Sequence, residues 1–593
     1  MHRGMTAFSV ALVVLLLGSG SCSHNMVPDN GGGSKDSAAV VSVSLSTDKS
    51  CYHPGDTVTF TSDALPSSAY VRYSHLAKTI SETPLSAKSW TWVSPSVDFQ
   101  GYLVQVLTKS GSTETILGTI GVDVSSDWGK FPRYGFLASF DTVSDADIAK
   151  VAARINRYHL NGVQFQDWHW KHHRPLAGTV ANPSETWTDI ANRNTSKTTI
   201  DSYISSLHKY GIKVTFYDLC FGALSDAAED GVKDEWYLFN DRNHSSRNVL
   251  SLPKPMFKSD IYIVDPSLKG WQDYFADRVD DVYSVFDFDG FQIDQLGSRG
   301  TVYSYDGRNA DLPSGFASFI RTMKSRQPAK RLVMNSVSRF GDKEIAETGK
   351  VDFLYNEVWD EDSDFSDLKD IIVRNSGFCD GNLKTVFAAY MDYDKADSKG
   401  YFNTPGVLLT DAVMFALGGD HLELGDHMLG KEYFPNANLK MDAGLQTKIV
   451  KYYDFITAYQ NLLRDGTSFS DESAIDVSCL NGKMALANWP PSSGNVCVLA
   501  TQKDNVQILH LINLAKADLL SWRDRNATMP EPALLEFPSL KFKTLKKVSA
   551  VWMASPDIDG GVPKRIAFNQ SASSVTFTLP SLKYWDMVII EYQ

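Results

Sequence analysis

Between about Phe131 and Arg464, short apolar, strand-like runs alternate with segments whose apolar residues recur at helical spacing. A chain that repeats strand then helix has few folds open to it. Ser144 stands where a helix cap is wanted, ahead of Ile148, Val151, Ile155 and Tyr158 on one face. A second stripe, Ile200, Tyr203, Ile204 and Leu207, stops at Gly211, and Phe316, Phe319, Ile320 and Met323 make a third. Candidate strands number eight, at 134–138, 162–166, 213–219, 290–294, 332–335, 353–357, 385–390 and 414–417. Eight such units over roughly 250 to 400 residues suit a (β/α)8 TIM barrel, placed at 131–465.

The 593 residues exceed what one core holds, and the period changes on both sides of the barrel. From 40 to 126, runs such as Thr57-Val58-Thr59-Phe60 and Tyr102-Leu103-Val104-Gln105-Val106 are punctuated by Pro and Gly, which predicts an immunoglobulin-like β-sandwich. From 466 to 593 strand patterns return, as in Val506 to Ile512 and Met587 to Glu591, and predict a C-terminal antiparallel β-sandwich. The start reads as an export signal over residues 1–22: Arg3, an apolar stretch from Ala11 to Leu17 too short to span a bilayer, then small residues before Cys22. A cysteine in that place resembles a bacterial lipoprotein signal, with Cys22 lipidated, residues 23–39 a flexible tether, and the protein held at the outer membrane of the cell envelope. No later stretch is long enough to span a bilayer, so membrane contact is expected only through that anchor.

Lys and Arg number 57 against 70 Asp and Glu, a net charge of -13, with no basic tract, so a nucleic-acid partner is not expected. The other cysteines, Cys51, Cys220, Cys379, Cys479 and Cys497, show no paired metal-type spacing. Cys479 and Cys497 read equally as a bridge or as free thiols. His169, His172 and His173 fit no helical metal motif, and the acidic run from Asp360 to Asp364 lacks the glycine and final glutamate of a calcium loop. No metal and no cofactor are expected, and the chain reads as a monomer.

In such a barrel the reactive groups sit where strands end. Two carboxylates do so in telling company: Asp294 closes Gly290-Phe291-Gln292-Ile293-Asp294 ahead of Gln295-Leu296-Gly297, and Glu357 closes Tyr355-Asn356-Glu357 ahead of Val358-Trp359. Carboxylates beside apolar surface are costly unless their charge or proton is used, and a facing pair can cleave a glycosidic bond. Asp167, Trp168, Tyr217, Asn335, Trp359, Tyr390, His421 and Glu423 stand at other strand ends as candidate sugar-binding residues, offering hydrogen bonds and ring faces. Trp168 equally reads as packing and His421 as a hydrogen-bonded structural histidine. Should Glu357 not be the acid, Glu423 and Asp392 are next.

The segments 290–297, 355–359 and 164–170 together resemble glycoside hydrolase family 66, the dextranases and cycloisomaltooligosaccharide glucanotransferases. Gln166 departs from the aromatic residue expected in the strand-two motif, which leaves the adjoining subsite open. The resemblance implies α-1,6-glucan (dextran) and isomaltooligosaccharides as substrates, cleavage with retention, Asp294 as nucleophile and Glu357 as acid/base. Double displacement of that kind wants carboxyl groups about 5 to 5.5 Å apart and a raised Glu357 pKa. The cyclising members are expected to carry a binding module inserted in the barrel, and the connection from Met391 to Val413 is too short for one, which favours hydrolysis, with endo action being what the likeness to dextranases implies. A non-catalytic glycan-binding surface lipoprotein is the alternative from another class.

Overall fold

The parallel strands form because their apolar runs are covered on both faces, which a central sheet wrapped by helices requires. The computed structural model describes residues 42–593, so the signal, Cys22 and the tether lie outside the described residues. The barrel strands are β1 Tyr134–Leu137, β2 Gly162–Phe165, β3 Lys213–Leu219, β4 Gly290–Asp294, β5 Arg331–Val337, β6 Leu354–Glu357, β7 Thr385–Ala388 and β8 Asp420–His421. Each pairs in parallel with the next. The seam between β8 and β1 closes just beyond β8, where Gly425 bridges Phe136 and Phe136 N–H donates to Leu424 O at 3.2 Å.

Helices α1 Asp145–Arg157, α2 Lys197–Lys209, α3 Lys269–Val285, α4 Leu312–Arg326, α5 Asp342–Glu347, α6 Phe365–Phe378, α7 Thr404–Ala416 and α8 Ala443–Ala458 fill the outer ring. Their starts follow capping chemistry: Ser144 accepts from Asp147 N–H, and Asp311 accepts from Ser314 N–H ahead of Pro313. Ile200, Tyr203, Ile204 and Leu207 of α2 all face inward, as the period predicts.

One strand is corrected. Residues 414–417 finish α7 instead of forming strand eight. Every residue of α7 from Gly406 to Ala416 is buried, so the helix has no polar stripe, and a helix apolar all round hides its period. The true β8 is two residues long and begins with Asp420.

On the N-terminal side, seven strands make two antiparallel sheets, three-stranded and four-stranded, around a core that includes Val58, Phe60, Val71, Val104 and Ile120. This unit is locked to the barrel. Gly101 and Gly121 leave room for the backbone of residues 454–458 of α8, and Arg133 pairs with Asp123 at 2.8 Å, both fully enclosed. On the C-terminal side a seven-stranded and a four-stranded sheet share a core with Val498, Leu509, Phe542, Phe577 and Val588. Pairing is antiparallel except that strand 486–488 runs parallel to 496–503. The five described cysteines are free. Among the described residues no helix is long and apolar enough to cross a membrane.

Candidate active site

Strand side chains alternate, so residues two apart share a face. Within the barrel that rule puts Gln292 and Asp294 on one inner row, Val333 and Asn335 on the next, and Tyr355 and Glu357 on the third, each row ending at the C-terminal mouth. Asn335 stands between the two carboxylates. Its Nδ2 donates to Asp294 Oδ1 at 2.9 Å and to Glu357 Oε2 at 2.8 Å. The facing oxygens can therefore be no further apart than those two bonds laid end to end, which falls short of the ~6.5 to 9.5 Å gap that admits an inverting water.

Each carboxylate has a tyrosine on its other oxygen. Tyr217 OH donates to Asp294 Oδ2 at 2.8 Å, and Tyr390 OH donates to Glu357 Oε1 at 2.8 Å. Both carboxylates keep part of their surface open to the mouth. Their environments separate them. Removal from water and then the Asp294 charge push Glu357 up to about 7, against the pull of the Asn335 and Tyr390 hydrogen bonds. Burial raises Asp294 as well, but Asn335, Tyr217 and the Gln295 N–H all favour its charged form. Glu357 is thus pushed toward its protonated form, with the Asp294 charge contributing, while three hydrogen bonds support the charged form of Asp294.

The surrounding candidates divide. Asp167, at φ 51°, is nearly enclosed, and burial, with Asp189 and Asp294 adding charge, pushes its carboxyl up to about 7. The Trp359 ring lies 5.6 Å from Tyr390 and 6.1 Å from Tyr393, making an aromatic flank beside Glu357. Asp294, Glu357, Asn335, Tyr217, Tyr390 and Trp359 thus meet in one constellation.

Three expected sugar-binding residues do not join it. Trp168 has no exposed surface; its ring packs on Trp187, Phe286 and Phe288 and its Nε1–H donates to Tyr217 O, so it offers no face to a sugar. His421 and Glu423 are also fully enclosed, turned toward Asp411 of α7 instead of the mouth. Asp392 is no spare acid either: it is enclosed, accepts from Asn403 N–H at 2.6 Å, and burial pushes it up to about 8.

Sequence reasoning missed the support behind Trp359. Arg523, from the segment that joins two strands of the C-terminal sheets, places its guanidinium 5.3 Å from the Trp359 ring and 5.2 Å from that of Tyr393. It also donates to Val358 O at 2.8 Å and Asp360 Oδ1 at 2.7 Å. Nothing near Arg523 in the sequence marks it. Tyr393, three residues after Tyr390, was the available signal.

The model of the family described as Glycosyl hydrolase family 66 matches residues 47–589. The chain is 26% identical to a cycloisomaltooligosaccharide glucanotransferase of Niallia circulans, covering 92% of this chain and 71% of that protein. It is 22% identical to a dextranase of Streptococcus salivarius, covering 83% and 67%. Among solved structures, a Paenibacillus sp. cycloisomaltooligosaccharide glucanotransferase complexed with cycloisomaltoheptaose superposes with a TM-score of 0.84 at 25% identity, over 93% of this chain and 99% of that one. With the barrel, the carboxylate pair and a family match over nearly the whole described length, this chain belongs to glycosyl hydrolase family 66.

Proposed function

We propose that the protein is an endo-acting α-1,6-glucan hydrolase, a dextranase, working by double displacement with retention. The observation that carries this reading is the single Asn335 amide holding Asp294 and Glu357 together. Asp294, ionised, attacks the anomeric carbon while Glu357 gives its proton to the departing glycosidic oxygen. Glu357, now a base, then takes a proton from the water that releases the glucosyl enzyme. Tyr217 and Asn335 steer the Asp294 oxygens, and Trp359 offers a ring face beside the leaving group. In this reading Asp167, which the Asp294 charge helps to raise, binds hydroxyls of the bound sugar. Membrane attachment through Cys22 belongs to the same reading, as does action on dextran at the cell envelope.

A cyclising transferase is the second reading, favoured by the names of the 26%-identical relatives. Against it, the alignment to that relative runs over 704 positions, more than the 593 residues here, so the relative carries segments this chain lacks. The connection from β7 to β8 holds a single helical turn, the two-residue strand Gly400–Tyr401 and α7, with no inserted domain. Product analysis on α-1,6, α-1,4 and α-1,3 glucans separates the cases. Linear isomaltooligosaccharides from dextran alone support hydrolysis, cyclic products as the main species establish the transferase, and no products with retained dextran binding would mean a glycan-capturing protein.

A further inference from the structure

Asp411 on α7, His421 on β8 and Glu423 just beyond it meet behind the barrel wall, each fully enclosed. The far nitrogen of His421 fixes its tautomer. Nε2 lies 2.8 Å from Ala389 O, which can only accept, so Nε2 carries a proton. In the neutral ring Nδ1 is then a lone pair, and it faces Asp411 Oδ1 at 2.8 Å and Glu423 Oε2 at 3.4 Å. Three electron-rich atoms converge, all within 4.8 Å of one another. Repulsion between them demands a positive centre, either protons or a metal ion.

One proton on Nδ1 serves Asp411 Oδ1, yet leaves Asp411 Oδ2 and Glu423 Oε2 without partners and the dry cluster negative, so without a metal a second proton shared by the two carboxyls is required. A divalent cation engages all three inward groups and cancels both carboxylate charges. The outer side is already built as metal sites require: His421 Nε2–H donates to a backbone carbonyl, and Tyr453 OH from α8 donates to Glu423 Oε1 at 3.1 Å. Tetrahedral donors at bonds of ~2.0 to 2.2 Å stand roughly 3.4 Å apart; the His421–Glu423 spacing of 3.4 Å matches this, and the 2.8 Å between His421 and Asp411 has to widen by a small side-chain shift to admit an ion. We propose that Asp411, His421 and Glu423 hold one first-row divalent cation of the zinc type, which pins α7 and α8 to the barrel seam. A calcium ion fits less well, since it takes 6 to 8 oxygen ligands. The cluster of His169, His172 and Asp218 is the nearest competitor among the described residues. There His169 Nδ1 and His172 Nε2 have no partner to orient the rings.

The test is metal content of the full chain after gel filtration, alongside Asp411→Asn, His421→Gln and the control His172→Gln. Close to one zinc-type ion per chain is expected in the wild type and in His172→Gln, with loss in the other two. Should those two fail to fold, wild-type protein unfolded in urea with a chelator and refolded with or without zinc decides. Its Tm is expected to rise by several degrees, saturating at one equivalent. Folded wild-type protein free of metal and with a Tm that zinc, manganese and calcium all leave unmoved would overturn the site in favour of shared protons. Metal retained in folded Asp411→Asn or His421→Gln would place the ion elsewhere and overturn it equally.

Discussion

Asn335 holds two oxygens that repel each other, so its loss should be felt in the chemistry more than in the fold. Asn335→Ala is expected to lower kcat on dextran on the order of 100-fold, the scale of losing one well-aimed donor, with a nearly unchanged circular dichroism spectrum. Retained kcat would remove Asn335 from the site. The pH profile follows from Glu357, whose pKa lies up at about 7. The acid must be protonated for the first step, so kcat/KM is expected to fall as pH rises through that value. In Glu357→Gln that limb should vanish with the activity. Trp168 behaves oppositely: Trp168→Ala leaves a cavity among Trp187, Phe286 and Phe288 and should cost about 3 to 5 kcal/mol in denaturant unfolding. Trp168→Phe should keep its KM for dextran, and a large rise in KM there would restore it as a sugar platform. Both carboxylates were legible because each ends an apolar run. The burial of Trp168, His421 and Glu423 was not, since a strand-end position says nothing of which way a side chain turns.

The barrel strands were read from period and punctuation, and seven of the eight were found within a residue or two. Where the reading failed, at α7 and β8, the cause was burial on all sides, which erases the alternation that distinguishes helix from strand. A strand of two residues carries no pattern of its own, and closure instead depends on Gly425. A Cβ there would run into Phe136 O at the seam. Gly425→Ala is therefore expected to destabilise the barrel by about 1 to 3 kcal/mol, as overpacking does, and to lower Tm. An unchanged Tm would show that the seam yields freely.

At the scale of the whole molecule, the C-terminal sheets do more than flank the barrel, for they deliver Arg523 to the back of Trp359. Arg523→Ala is expected to reduce kcat about tenfold to a hundredfold, the penalty for slight misplacement of catalytic groups, while dextran still binds. This long-range contact could not be read from sequence, because residues 359 and 523 meet only once the barrel and the C-terminal sheets are folded. The account as a whole rests on double displacement by Asp294 and Glu357, and azide rescue of Glu357→Ala tests it most directly. With an α-glucosyl or isomaltosyl substrate bearing an acidic phenol, departure needs no proton, so the covalent intermediate should form and accumulate. Added azide should then restore turnover and give a glycosyl azide of α configuration, the same as the substrate bond; recovery of the β azide would mean single displacement and contradict the role given to Asp294.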